Sequence, residues 1–294
     1  MNAPPAPAPA PGDQGLDRYA VIGNPVAHSK SPAIHANFAQ QTGEPVKYDR
    51  ILAPVNGFAQ AVDAFMSAGG RGLNVTVPFK LQAYALATRR SARAEAAGAV
   101  NTLRFERVDG GRIEILGDNT DGVGLVTDVE AQPRVALSGA RVLLLGAGGA
   151  ARGVILPLLE RRPRALTIVN RTAARTTELI ERFAVFARAV GCTLEGGAPG
   201  VEHGVYDIVI NATAGSLDGA VPVFAAACVG PGTLAYDMMY AAGPTVFMQH
   251  AARLGARTVD GLGMLVRQAA ESFFVWRGVR PDPAPVLAAL RASL

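Results

Sequence analysis

A two-domain α/β protein is predicted, on three observations. From Tyr19 onward, short apolar runs alternate with amphipathic segments, the pattern of βαβ units on a mostly parallel sheet. A second series of the same kind starts at Arg141 and carries a glycine-rich turn between its first strand and first helix. The chain of 294 residues, 49% hydrophobic and 18% charged, is long enough to bury two cores.

In chain order, MNAPPAPAPAPG reads as an extended, disordered Pro/Ala tail over 1–15. The first domain, 16–121, opens with the strand YAVIG. A helix follows from Pro32 to about Gln41, then a strand near Val46–Ile51 and a helix over Val55–Ala68. GLNVTVP reads as a strand, with a helix starting at Pro78, because proline suits the first helical position. Leu103–Phe105 and Ile113–Leu116 flank a Gly-containing turn and read as a hairpin. GDNTDG leads into a helix running to about Glu130. The second domain, 122–260, holds the strand RVLLL, the turn Gly146-Ala-Gly148-Gly-Ala-Ala151 and a helix in which Pro157 predicts a kink. Then come ALTIVN, a helix to about Val190, and the strands YDIVINAT and TLAYDMMY. The last segment, 261–294, has a glycine-broken turn and an apolar helix from about Met264 to Trp276. It follows a completed nucleotide unit, so it is expected to return and cover the first domain.

Composition excludes several classes of function. The net charge of +4 is spread over scattered arginines with no basic run or aromatic-studded basic face, so no nucleic-acid partner is expected. The tail lacks the charged start and apolar core of a signal peptide, and the apolar stretch Val142–Leu159 is broken by Arg152 and glycines, so no membrane segment is expected either. Cys192 and Cys228 have neither metal-site spacing nor disulfide density, which points to a reducing cytoplasm.

Candidate chemistry sits at the ends of the strands. In NPVAHSKSPAIH, an extended backbone before Pro32 would turn Ser29 and Ser31 to one side and Lys30 to the other. Two converging hydroxyls at a helix N-terminus suit a small carboxylate or phosphate; the plainer alternative is that Ser31 only caps the helix. Only Lys30, Lys47 and Lys80 are lysines among 28 basic residues. Lys80 falls in the first turn of a helix, whose positive end disfavours an ammonium, so it suits proton transfer; the alternative is a solvated surface lysine. Asn101 precedes a strand, and Asp118 to Asp121 cluster before a helix with a glycine too early for a calcium loop, so no metal is expected. Asp121 either caps that helix or holds a substrate hydroxyl and pairs with Lys80.

The turn Gly146, Ala147, Gly148, Gly149, Ala150 and Ala151 fits G-x-G-x-x-A between a strand and a helix, the setting of a Rossmann-type dinucleotide site. At the end of the second strand, where NAD sites carry an acid, stand Asn170, Arg171 and Thr172, followed by Arg175. Two guanidiniums there suit a 2′-phosphate and hence NADP.

NPVAHSKSP, NVTVPFK, GAVNTL, GDNTDG, GAGGAAR, NRTAAR, INAT, YDMMY and DGLGMLVRQAA occur in the order and spacing of the shikimate dehydrogenase family, and from Tyr19 to Trp276 the chain resembles it. The resemblance implies NADPH-dependent reduction of 3-dehydroshikimate to shikimate, in a cytoplasmic monomer or homodimer. Ser29 and Ser31, assisted by Tyr240, would hold the substrate carboxylate; Thr76, Asn101, Asp121 and Gln268 would hold the ring hydroxyls; Lys80 and Asp121 would be the catalytic pair. On the cofactor side it implies Gly146 to Ala150, Asn170, Arg171, Thr172, Arg175, Met238 and Gly261. Hydride would pass to the C3 carbonyl carbon while a proton reaches its oxygen from Lys80, directly or through water. NATAGS, Asn211 to Ser216, departs from the family's commoner serine-rich version. Two rival readings are a quinate/shikimate dehydrogenase, which the arginines after Asn170 oppose, and a catalytically silent NADP-binding regulator, which would have little reason to keep Lys80 and Asp121.

Overall fold

The computed structural model describes residues 15–213, 215 and 220–294. The Pro/Ala tail, apart from Gly15, and part of the NATAGS segment lie outside the described residues. The chain divides into two compact units, 1–120 with 268–286 and 121–267 with 287–294.

The first unit is built on β1 (Asp17–Gly23), α1 (Ser31–Thr42), β2 (Val46–Leu52), α2 (Phe58–Ser67), β3 (Gly70–Val75), α3 (Lys80–Leu86), β4 (Arg89–Arg90), α4 (Ala92–Ala97), β5 (Thr102–Arg107) and β6 (Ile113–Asp118). Its sheet has the order β2-β1-β3-β5-β6-β4. β1 pairs parallel with β2 and β3, while β5 runs antiparallel to both β3 and β6. The mixed sheet follows from chain length: the β5–β6 hairpin needs only a short turn, whereas each parallel pair needs a crossover helix.

Alternation along β1 sets two cores. Ala20 and Ile22 join one cluster with Phe58, Val62 and Phe65 of α2 and Phe79 and Ala83 beside α3. Tyr19 and Val21 face the other way and pack with Tyr48 and Trp276. Trp276 belongs to the returning segment and donates from Nε1 to the Leu103 carbonyl at 2.9 Å. Gly72 makes room for it, since a Cβ there would lie 2.6 Å from Trp276 Nε1.

The second unit runs α5 (Asp121–Glu130), β7 (Arg141–Leu145), α6 (Gly149–Glu160), β8 (Ala165–Val169), α7 (Ala173–Val190), β9 (Thr193–Gly197), β10 (Ile208–Asn211), β11 (Leu234–Asp237), α8 (Val246–Arg253) and β12 (Arg257–Val259). All its pairings are parallel, in the order β12-β11-β10-β7-β8-β9. This is the doubly wound order whose crevice opens where β7 and β10 lie side by side. α6 runs without a break through Pro157. Gly122 of α5 comes so near that a Cβ would stand 2.5 Å from the Gly153 carbonyl, the acceptor a proline four residues on cannot use.

Two helices end the chain, α9 (Leu262–Arg277) and α10 (Pro283–Ala292). The segment expected at 261–294 is divided: residues up to Arg267 and from Leu287 group with the second unit. Arg267 pairs with Asp128 at 3.2 Å, and Arg291 grips Asp260 with both terminal nitrogens at 2.5 and 2.6 Å. Among the described residues no helix is long and apolar enough to cross a membrane.

Candidate active site

In the first unit the segment Asn24–Ser31 is tied down before it reaches α1. Asn24 donates from its backbone to the Val77 carbonyl at 3.0 Å and from Nδ2 to the Ala53 carbonyl at 2.9 Å, and Ser29 N donates to Val26 at 3.1 Å. The two serine hydroxyls do meet: Ser29 Oγ donates to Ser31 Oγ at 3.2 Å. The cause differs from the one expected. Lys30 is not extended but helical (φ −84°, ψ −7°), and it occupies the cap position with no side-chain cap bond. Ser31 is therefore the first residue of α1 and not its cap, so the capping alternative fails. Its hydroxyl instead accepts from Ser29 and lies near enough to Tyr48 to influence its phenol.

Thr76 and Lys80 flank a tight turn closed by Phe79 N to the Thr76 carbonyl at 3.0 Å. Phe79 is fully buried and stacks on Phe58 at 5.0 Å, which anchors the start of α3. The helix begins at Lys80 and not at Pro78, because the 76–79 turn intervenes. The Lys80 carbonyl accepts from Val100 N at 3.0 Å, linking it to the GAVNTL segment.

Asn101 is the centre of a buried polar network. Its Nδ2 donates to Thr120 Oγ1 at 2.9 Å and Gln268 Oε1 at 3.3 Å, and its Oδ1 accepts from Thr120 N at 2.8 Å. Thr102, Ser272 and Asn74 extend it. Asn74 Oδ1 in turn accepts from Tyr48 at 2.8 Å and lies 3.2 Å from His35 Nε2. Burial pushes the His35 imidazole down to about 3, so it is neutral and donates from Nε2 to that oxygen. Burial likewise holds the Tyr48 phenol well above its usual value, against the Ser31 hydroxyl and the charge of Arg50.

Sequence reasoning passed over Tyr48, Asn74, Thr102 and Ser272, and named Thr120 only as a member of the cluster from Asp118 to Asp121. The available signal was a polar residue inside a strand or helix pattern that is otherwise apolar, as in GLNVTVP. Ahead of Asp121, Asp118 accepts from Arg93 through both oxygens at 2.7 and 2.6 Å, from Ser91 at 2.5 Å and from Asn119 N at 2.7 Å. The Arg93 guanidinium is desolvated by burial, yet its bonds and charge contacts with Asp118 and Glu271 raise its proton affinity. Asp121 itself is 6% exposed and is the first helical residue of α5, at the opening of the second unit, as is Tyr240 a member of that unit.

The glycine turn sits at the crevice of the second sheet. Gly146 has φ +113°, a conformation that favours glycine, and a Cβ there would lie 3.2 Å from Thr213 Cγ2 and 3.3 Å from Ala212. Gly148 stands before α6 with nothing within 4 Å of its Cβ position, so a phosphate can approach the N–H groups that begin at Gly149. Asn170 bonds Thr172 at 3.1 Å and holds the loop after β8, from which Arg171 and Arg175 project exposed. These features fit a dinucleotide bearing a 2′-phosphate. Across the sheet, Asp237 accepts from Asn211, Met239 N and Thr245, fixing the Met238 segment. Gly261 lies against the Met238 backbone too closely for any side chain.

Models of three families match the chain: "Shikimate dehydrogenase substrate binding domain" over 21–103, "Shikimate / quinate 5-dehydrogenase" over 129–217 and "Shikimate 5'-dehydrogenase C-terminal domain" over 261–291. A curated shikimate dehydrogenase (NADP(+)) of Cupriavidus necator is 59% identical over 283 residues, 95% of this chain and 94% of the relative. Among solved structures, an Ael1 enzyme from Pseudomonas putida is 44% identical with a TM-score of 0.80, covering 93% of this chain and 98% of its own. Shikimate 5-dehydrogenase from Thermus thermophilus, solved in complex with NADP(H) and shikimate, is 32% identical with a TM-score of 0.80, covering 95% and 100%.

Proposed function

This chain belongs to the shikimate dehydrogenase family, and on that premise we infer that it catalyses the reversible NADPH-dependent reduction of 3-dehydroshikimate to shikimate, in the pathway to chorismate and aromatic amino acids. The observation that carries the reading is the 59% identity to an NADP-dependent shikimate dehydrogenase over nearly the whole of both chains.

NADPH, when bound, supplies the hydride that reduces the ring carbonyl carbon. Gly146 to Ala150 hold its pyrophosphate, Asn170, Arg171, Thr172 and Arg175 its 2′-phosphate end, and Met238 and Gly261 its nicotinamide end. On the substrate, Ser29 and Ser31 with Tyr240 hold the carboxylate, while Thr76, Asn101, Asp121 and Gln268 hold the ring hydroxyls. Lys80 delivers the proton to the carbonyl oxygen and receives it back in the reverse direction, with Asp121 as its partner. The meeting of Ser29 with Ser31, and the Asn101–Gln268 bond, support these assignments by preorganising donors before any ligand arrives. The protein works in the cytoplasm, as a monomer or homodimer, and its buried free Cys192 and Cys228 are compatible with a reducing compartment.

Purified protein is to be assayed with shikimate and either NADP or NAD, following absorbance of the reduced cofactor, with quinate in parallel. Turnover of shikimate with a clear preference for NADP is expected. Equal use of NAD, or faster quinate oxidation, would replace this reading by the broader quinate/shikimate one, and no turnover at all would remove it.

A further inference from the structure

Two neutral serines can donate hydrogen bonds to a carboxylate, but they cannot balance its charge. β2 brings a cation to the same place. Arg50 donates from Nε at 3.1 Å and from Nη2 at 2.6 Å to the carbonyl oxygen of Ser29, a two-pronged hold on the backbone that carries the first hydroxyl. Two residues earlier on the strand, and so on the same face, Tyr48 lies close enough to Ser31, the second hydroxyl, to feel its dipole. The Arg50 charge reaches the Tyr48 phenol. Arg50 is exposed.

We propose that Arg50 is a positioning and specificity residue of the carboxylate subsite: it fixes the Ser29 backbone so that the two hydroxyls meet, and it supplies the positive charge that makes the subsite select an anionic ring over a neutral one. The proposal rests on the reading of Ser29 and Ser31 as the carboxylate pair. A guanidinium is suited to both tasks, since its fixed fork bonds one carbonyl twice while its charge persists at any working pH.

The test compares shikimate with its methyl ester, which keeps the ring and hydroxyls and loses the charge. Arg50→Gln should raise KM for shikimate by about tenfold, the scale of one hydrogen bond to a charged group, with turnover and the NADP constant held within about threefold. With the ester, Arg50→Gln should raise KM by a clearly smaller factor than with the acid, the part that comes from the lost hold on the Ser29 backbone. Arg50→Lys, which keeps the charge and loses the fork, should recover part of the acid preference. Melting temperatures verify that each variant is folded. An unchanged KM for shikimate overturns the proposal. So does an equal loss with acid and ester, which would make Arg50 a mere loop tether, and so does the acid-specific loss appearing in Lys30→Gln in place of Arg50→Gln. The serine reading is tested separately: if Ser29→Ala and Ser31→Ala leave the acid-to-ester ratio unchanged, that reading falls whatever Arg50 does.

Discussion

At the scale of single residues, chemistry turns on which groups can change their proton. Lys80 opens a helix whose first backbone turn is pinned by Phe79 and Val100, so its side chain departs from a fixed point. Lys80→Ala should lower turnover by roughly a hundred- to ten-thousand-fold, the usual range for losing a general acid or base, and Asp121→Asn should cut it severely too. Lys80→Arg should not restore activity, because arginine does not give up its proton. Groups acting in one step are non-additive, so the double variant should be little worse than the weaker single one. Single-turnover rates read this directly, and multiplicative losses would mean the two act independently. His35 makes a second prediction. Its imidazole titrates near 6.5 in the unfolded chain and at about 3 when folded, so between those values the unfolded state binds the extra proton. The stability that depends on a neutral His35 is fully present above pH 6.5 and is lost as pH falls toward 3, at up to about 1.4 kcal/mol per pH unit. Urea unfolding at pH 6.5, 5.5 and 4.5 should show a shallower acid decline in His35→Gln; parallel slopes would contradict it.

At the scale of elements, close approaches explain why particular glycines stand in the sheet. β3 lacks a side chain at position 72 where Trp276 crosses it, and a methyl there would press on both the indole nitrogen and the Leu103 carbonyl at 2.6 Å. Gly72→Ala should therefore lower unfolding free energy by about 2 kcal/mol, as overpacking does, and weaken the seat of α9 on which Gln268 rides. A denaturation midpoint equal to that of the unaltered protein would show that α9 adapts freely. The central strands were legible as short apolar runs: YAVIG and RVLLL both match observed strands whose residues are almost all buried. The two-residue β4, the short β12 and α4 were not legible, since so few residues carry no measurable period, and β9, α8 and α10 were not read from the sequence either. Ends also moved: α3 starts at Lys80 and α2 at Phe58, because turns tied by backbone bonds occupy the positions that composition alone would assign to helix.

At the scale of the whole molecule, the serine pair and Asn101 lie in the first unit and the glycine turn in the second, so the two ligands should protect different segments. A ligand that binds only the folded state stabilises it by about 2.7 kcal/mol at a hundred times its Kd. Hydrogen exchange should accordingly show NADP alone protecting the Gly146–Arg152 and Asn170–Arg175 segments, and shikimate alone protecting Ser29–Ile34 and Asn101–Thr102. Protection of the glycine turn by shikimate alone would contradict its assignment to the dinucleotide. The division of the chain itself, with Gln268–Val286 in the first unit and Leu287–Leu294 in the second, is a product of long-range pairs such as Trp276 with Leu103 and Arg291 with Asp260.

By itself the sequence determined the α/β class, the order of the main strands and helices, the glycine turn with its arginine-bearing partner loop, and the short motifs that mark the family. These are local properties: a period, a turn residue, a residue type at a fixed offset, all written within a few positions of one another. Only the tertiary structure decided that Ser29 and Ser31 meet through a helical Lys30, that Arg50 holds the first of them, and that Asn74 and Asn101 join His35, Tyr48, Thr120 and Gln268 in one buried network. Those partners stand up to 167 residues apart in the chain. A buried polar group must find a partner wherever the packing brings one, and which one it finds depends on the sheet order and register that the whole fold sets.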